Sequence, residues 1–174
     1  MAVVPTRDPR PAMVELAALI YDRQLSDSAG GNMSVRSDGR IYVTPRFMGA
    51  RHRWRLRADM LSVLDAATLA VLEGPGDISR ESKAHLALYS AFAEAGAVIH
   101  AHPRYIQAFT SLGRPLEPAT EYTEKYGTIP VVAAVKAHSQ ALADEVVAAM
   151  EGLREGLASH GLAVLLARHG IITM

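Results

Sequence analysis

The segment 97–103 reads Ala97-Val98-Ile99-His100-Ala101-His102-Pro103, an apolar run that ends in two histidines and a proline. The apolar run predicts a short strand, and the proline forces the chain to turn where that strand ends. Side chains two apart in a strand point to the same face, so His100 and His102 can present both imidazoles to one ion. A buried, hydrogen-bonded histidine pair is the alternative, which the pair alone does not exclude.

Helical and strand patterns alternate on both sides of this segment. The predicted helices cover residues 11–25, 79–95 and 105–112, and a further one starts at Ser139. The predicted strands cover residues 33–35, 41–43, 61–64, 69–72, 97–102, 162–167 and 171–174. Asp38-Gly39 predicts a hairpin turn between the first two strands. The alternation indicates one layered α/β domain over residues 1–174, a length that suits a single core.

Composition narrows the classes of function. Lysine plus arginine (18) balance aspartate plus glutamate (18), so no overall field favours nucleic acid or an anionic membrane, and a small-molecule partner is expected. The chain has no cysteine, which excludes disulfides and thiolate metal sites and fits a cytoplasmic setting. Residues 1–11 lack the apolar core of a signal peptide, and no apolar run is long enough to span a bilayer. A soluble protein is therefore expected.

A third metal ligand and a carboxylate have candidates elsewhere in the chain. A catalytic ion commonly takes three protein ligands and keeps one position open, and His169, between an apolar strand and Gly170, fits best. A surface histidine is the alternative. Glu81 follows Ser79-Arg80 at a predicted helix start, where backbone N–H groups stabilise an anion. An acidic residue in the first turn of a helix is more often a stabilising residue than a catalytic one. The remaining histidines, taken as structural or solvated, are His52, His85, His138 and His160.

Five short stretches occur in an order typical of one enzyme family. In chain order they are Ala29-Gly30-Gly31-Asn32-Met33-Ser34-Val35-Arg36, Tyr42-Val43-Thr44-Pro45, Glu81, His100-Ala101-His102 and Arg168-His169-Gly170. They resemble the Gly-Asn-x-Ser-x-Arg loop, the strand ending in Thr-Pro, the acid, the His-x-His pair and the His-Gly of the class II aldolase and adducin-head family. Each stretch is common singly, but the ordered set covers nearly the whole chain. The resemblance implies a three-layer α/β/α sandwich with a largely antiparallel central sheet, and a homotetramer with active sites between subunits.

The same resemblance implies roles for particular residues. It makes His100, His102 and His169 the ligands of Zn²⁺ or another divalent cation, and Glu81 the residue that moves protons during carbon–carbon cleavage. Tyr122 resembles a tyrosine that approaches the aldehyde end of the substrate. The implied activity is that of an aldolase, a lyase that cleaves a ketose phosphate or related anionic hydroxy-carbonyl compound through a metal-stabilised enediolate. Burial is expected to raise the pKa of Glu81 so that it can serve as acid and base.

This chain departs from the family pattern at residues expected to surround the anionic group of the substrate. The expected substrate-binding residues are Gly31, Asn32, Arg46, Ser79 and Arg80. Family aldolases have small and hydroxyl residues around the phosphate, whereas this chain has Arg46 after Thr44-Pro45 and Arg80 after Ser79. A guanidinium suits a carboxylate as well as a phosphate, and both arginines could instead face solvent or a neighbouring subunit. The family relatives also continue beyond the strand at 171–174 into further helices, so we expect this chain to be truncated or to do without those helices.

Two other classes of function remain open. A dehydratase or epimerase could use the same metal scaffold, with Glu121 or Glu124 as an added acid/base. Alternatively, the domain could be a non-catalytic binding module like the adducin head, since a fold alone does not define a function. A non-catalytic module is expected to have lost metal-binding residues, whereas all three histidines and Glu81 are present in this chain.

Overall fold

The structure, a computed structural model, describes residues 8–174 and is built on one eight-stranded sheet. Its strands are β1 (Asn32–Ser37), β2 (Arg40–Val43), β3 (Ser62–Asp65), β4 (Val71–Glu73), β5 (Ala97–Ala101), β6 (Val131–Val132), β7 (Ala163–Leu166) and β8 (Gly170–Thr173). They lie in the order β4-β3-β2-β1-β5-β8-β7-β6. Every neighbouring pair is antiparallel except β6 and β7, which are parallel. The expected largely antiparallel sheet is confirmed.

Strands β1 and β2 form the predicted hairpin. Ser37 pairs with Arg40, and the two residues between them, Asp38 and Gly39, have φ angles of 52° and 71°. Positive φ at both central positions is the geometry that an Asp-Gly turn supplies at little steric cost. The hairpin therefore begins the sheet where the sequence predicts it.

Helices cover both faces of the sheet, because strand side chains alternate between two apolar clusters. On one face, α3 (Ser82–Ala91) and α6 (Gln140–Glu151) pack against each other in a cluster that includes Ile41, Val43 and Leu64. On the other face, α1 (Arg10–Asp22), α2 (Met48–His52) and Trp54 pack on Met33, Tyr42 and Val63. The remaining helices are α4 (Arg104–Leu112), which lies against β7 and β8, and α5 (Glu121–Glu124). The arrangement confirms the three-layer α/β/α sandwich.

Several element boundaries differ from those expected. Helix α1 ends at Asp22 rather than at residue 25, because Gln24 adopts a positive φ of 56° that ends the helical path. Helix α3 ends at Ala91 rather than at residue 95, because Phe92 is extended and turns its buried ring into the core. The sequence predicted neither α2, α5 nor β6, each of which is too short to show a periodic pattern.

Among residues 8–174, no helix combines the length and the apolar character that a bilayer crossing requires.

Candidate metal centre

Pairing of β5 with β8 brings the three predicted ligands together. His100 and His102 lie at the end of β5, and His169 lies in the turn between β7 and β8. Ala101 pairs with Ile171, so the turn is held directly beside the two β5 histidines. Gly170 permits this approach, because a Cβ there would collide with the Ala101 carbonyl oxygen and come within 2.8 Å of His102 Cδ2.

The facing nitrogens of the three histidines fit a divalent cation. The Nε2 atoms of His100 and His102 are 3.1 Å apart, and one ring nitrogen from each of the three residues lies within 4.8 Å of the others. Tetrahedral zinc with bonds of about 2.0–2.1 Å separates its ligand atoms by roughly 3.3 Å, so a small adjustment would accommodate the ion. The donor set, three imidazoles beside a carboxylate, is one that zinc commonly takes in catalytic sites.

Contacts behind the imidazoles orient them. His100 Nδ1 lies 2.9 Å from the Ile171 carbonyl oxygen, and His102 Nδ1 lies 3.1 Å from Asp27 Oδ1. An Nδ1–H donated to each of these acceptors leaves Nε2 unprotonated and turned toward the cluster, as metal binding requires. Burial lowers the pKa of His100 to about 4, so this imidazole is neutral at pH 7 and available as a ligand.

Glu81 lies at the N-terminal end of α3 with its carboxylate inside the histidine cluster. Oε1 is 3.0 Å from His169 Nε2, Oε2 is 3.3 Å from His100 Nε2, and Asn32 Nδ2 donates to Oε2 at 2.9 Å. The expectation of a raised pKa is wrong for this structure. Burial does raise the pKa of Glu81, but the hydrogen bond from His169 and the charges of His100, His169 and His138 outweigh it and lower the pKa to about 2.

An open cleft of about 190 Å³ leads to this cluster. Four of the five predicted substrate-binding residues line it, and the fifth, Asn32, lies behind it in contact with Glu81. The lining residues are Ala29, Gly30, Gly31, Arg46, Phe47, Ser79, Arg80, Glu81, His102, His138 and His169. Gly31 has a φ of 97°, and a Cβ there would overlap the Trp54 ring, so only glycine suits this wall.

Two arginines give the cleft a positive end. Arg46 and Arg80 both line it, and the buried Nε of Arg46 has no hydrogen-bond partner among the described residues. Two guanidinium groups in one cleft suit it to an anionic substrate, since these groups bind carboxylates and phosphates strongly.

Tyr122 is not brought into this cleft within one chain. It lies on α5 with 85% of its surface exposed and is absent from the cleft lining. Glu121 and Glu124, the alternative acid/base residues, lie on the same exposed helix. None of these three residues lines the cleft of its own chain.

His138 lies in the cleft although the sequence placed it among the structural or solvated histidines. Its Nδ1 is 3.6 Å from Glu81 Oε1, and its backbone has a φ of 64°. The residue directly precedes Ser139, whose side chain accepts a hydrogen bond from Leu142 N and begins α6. The sequence does mark the helix start at Ser139, but no pattern in it directs the His138 side chain into the cleft. Asp27 was missed because it lies in a loop without a periodic pattern.

The sandwich fold and the cluster of histidines with a glutamate define this chain as a domain of the class II aldolase type. Residues 11–174 match the sequence model described as "Class II Aldolase and Adducin N-terminal domain", and the chain belongs to this family.

Similar proteins in this family include enzymes with different activities. The chain is 32% identical over 167 residues to a 3-oxo-tetronate 4-phosphate decarboxylase of Haemophilus influenzae, covering 92% of this chain and 73% of that protein. It is 27% identical over 167 residues to an L-fuculose phosphate aldolase of Methanococcus maripaludis, covering 92% and 81%. A solved structure of L-fuculose 1-phosphate aldolase superposes with a TM-score of 0.79 at 27% identity, covering 99% of this chain and 76% of that one.

Proposed function

We propose that this protein is a metal-dependent lyase that cleaves a carbon–carbon bond in a ketose phosphate or a related anionic hydroxy-carbonyl compound. The convergence of three histidine side chains, two of which contact the Glu81 carboxylate beside a cleft, carries this proposal. Relatives named as an aldolase and as a decarboxylase support it, since both kinds of reaction break a carbon–carbon bond.

The histidines and the glutamate have separate tasks in this proposal. His100, His102 and His169 would hold Zn²⁺ or another divalent cation, which supplies Lewis-acid polarisation of a substrate carbonyl when it is bound. A divalent cation beside Glu81 would favour the ionised carboxylate, because a nearby positive charge favours the charged form of an acid. Glu81 therefore begins as a base, removes a proton from the substrate and returns that proton to carbon after the bond has broken.

The positive end of the cleft orients the substrate. Arg46 and Arg80 bind its phosphate or carboxylate, and the Gly30–Gly31 backbone provides a wall without side chains along which the substrate can lie. Fixing the anionic end in this way places the carbonyl end at the histidine cluster, and correct placement is itself a large part of catalysis.

Decarboxylation of a phosphorylated 3-oxo acid is a second candidate. The decarboxylase relative at 32% identity favours it, as does the pair of arginines where the family aldolases have small and hydroxyl residues. A carboxylate that leaves as carbon dioxide needs the same stabilisation of negative charge on the remaining carbon.

Metal analysis followed by product analysis tests the proposal. The protein is purified without added metal and then with zinc, and bound metal is measured by elemental analysis. Candidate sugar phosphates and 3-oxo acid phosphates are then incubated with the zinc-loaded protein and with His102→Ala. Dihydroxyacetone phosphate or an aldehyde would indicate aldol cleavage, carbon dioxide would indicate decarboxylation, and loss of water or inversion would indicate a dehydratase or an epimerase. No bound metal even after zinc supplementation would favour a non-catalytic binding module.

A further inference from the structure

Metal binding changes which groups can hold the Glu81 carboxylate. In the structure, Oε1 contacts His169 Nε2 and Oε2 contacts His100 Nε2. A cation bound to those two nitrogens occupies their lone pairs, so neither nitrogen can carry a proton to donate to Glu81. Asn32 Nδ2 then remains as the donor to Oε2 at 2.9 Å. Oε1 needs a different donor.

His138 is the side chain placed to fill that position. Its Nδ1 lies 3.6 Å from Glu81 Oε1, is buried, and has no hydrogen-bond partner among the described residues. The charged groups that act on it are Glu81, Arg80, His169 and Arg46. Arginine cannot accept a hydrogen bond, and a metal-bound His169 nitrogen cannot either. Glu81 is therefore the acceptor among these groups.

The backbone at His138 supports a specific placement of this side chain. A φ of 64° is uncommon for a residue other than glycine and carries a conformational cost. The Ser139 side chain caps α6 immediately afterwards, which fixes the direction in which the chain leaves the site. The imidazole is thus held at the cleft, with about a third of its surface exposed.

We propose that His138 is a positioning residue whose Nδ1–H donates a hydrogen bond to Glu81 Oε1 when the three metal ligands are occupied. His138 and Asn32 then hold one carboxylate oxygen each and direct the carboxylate at the substrate carbon. This inference rests on the proposed role of Glu81 as the acid/base. The required movement is less than 1 Å, because a good N–H···O bond is about 2.9 Å long.

Two substitutions separate the side chain from the backbone conformation. His138→Gly removes the imidazole and adopts the positive φ without cost, whereas His138→Asn keeps an N–H donor at the same depth and also tolerates this conformation. We expect His138→Gly to lower kcat about 10- to 100-fold with little change in KM or zinc content, because the acid/base is misplaced. His138→Asn should recover most of that loss. Unchanged kcat in His138→Gly, or equal losses in the two variants, would overturn the proposal.

The tautomer of His138 provides a test that needs no substrate. Nitrogen-15 NMR of the zinc-loaded protein near neutral pH should show the proton on Nδ1 of His138 in the wild type. Removing the acceptor in Glu81→Ala should shift that proton toward Nε2. An Nε2–H tautomer in the wild type would contradict the hydrogen bond. Because this readout is independent of turnover, it separates failure of the His138 inference from failure of the proposed activity.

Discussion

Glu81 and His102 belong to one cluster, but their surroundings differ. The imidazole of His102 is 8% exposed and is held from behind by Asp27, which fixes a nitrogen toward the cluster. Glu81 is instead contacted through both carboxylate oxygens and lines the cleft. One side chain is therefore suited to hold an ion and the other to exchange a proton.

Substitutions should separate these two tasks. We expect Glu81→Gln to keep bound zinc and to lower the turnover rate at least about 100-fold, because an amide keeps the shape but cannot exchange a proton. His102→Ala should lose zinc, because one of three ligands is gone. Elemental analysis and the cleavage rate measured side by side check both expectations. A Glu81→Gln protein with near-normal activity would move the acid/base role to Glu121, Glu124 or Tyr122.

Glu81 and the three histidines could be predicted from the sequence, whereas His138 and Asp27 could not. The first four lie in or beside regular elements, where strand alternation and helix starts indicate the direction of a side chain. His138 and Asp27 lie in loops, and the positive φ at His138 has no signature in a residue that is neither glycine nor asparagine. Only the folded path of those loops brings their side chains to the cluster.

Helix α3 carries a histidine outside the metal cluster into the core, and this residue should make stability depend on pH. His85 is 1% exposed, and its Nδ1 lies 2.8 Å from the Ser34 hydroxyl. Burial lowers the pKa of His85 to about 3, whereas the unfolded value is about 6.5. Between those values the unfolded chain binds more protons. The free energy of unfolding is therefore highest above pH 6.5 and falls as the pH drops toward 3.

The pH dependence of the free energy of unfolding can be measured directly. One such histidine contributes about 1.4 kcal/mol per pH unit. In the metal-free protein, His85→Asn should therefore reduce the slope between pH 4 and 6 by up to this amount. Asparagine keeps a polar group beside Ser34 but does not titrate in this range. Urea unfolding of both proteins over a pH series checks the expectation, and identical slopes would show that His85 is not held neutral by the fold.

Strand β8 has no room for a side chain at Gly170. A Cβ there would collide with the Ala101 carbonyl oxygen and press on the rings of His102 and His100. We expect Gly170→Ala to destabilise the protein by about 1–3 kcal/mol through overpacking and to weaken zinc binding. Gly96→Ala is the matched control, because a Cβ at Gly96 meets nothing within 4 Å. Thermal unfolding and zinc titration of both variants test this, and equal behaviour would contradict the close approach of β8 to β5.

The pairing of the strands in the sheet was harder to predict from the sequence than the positions of the strands. Alternation and turns predicted most strands and a layered domain, but the antiparallel pairing and the three-layer form were expected only from the family resemblance. The pairing of β1 with β5 joins segments far apart in the chain, and local patterns contain no information on such partners. Strand β6, with two residues, and the parallel β6–β7 pair were not expected at all.

Assembly of several chains would give the exposed Tyr122 a site to act on. Tyr122 is 85% exposed and lies outside its own chain's cleft, so we propose the tetramer that the family resemblance implies, with Tyr122 reaching a neighbouring site. Native mass spectrometry should then show four times the chain mass of 18.7 kDa. If Tyr122 reaches the substrate in a neighbouring site, Tyr122→Phe should lower kcat about 10-fold or more, because it removes the hydroxyl. Tyr105→Phe, at an 83% exposed position, serves as the control. A fully active monomer would contradict this proposal.

The position of β5 at the centre of the sheet has a consequence for folding kinetics. Met33 pairs with Ile99 and Ala101 pairs with Ile171, so β5 joins an early part of the chain to its last described strand. Such distant pairings close slowly, and a slip of one residue would turn both β5 imidazoles to the opposite face of the sheet. The ion-binding cluster can therefore form only after β8 has joined β5 in register. Capture of zinc would then mark a correctly completed chain, and kinetically trapped, misregistered chains would remain without the ion.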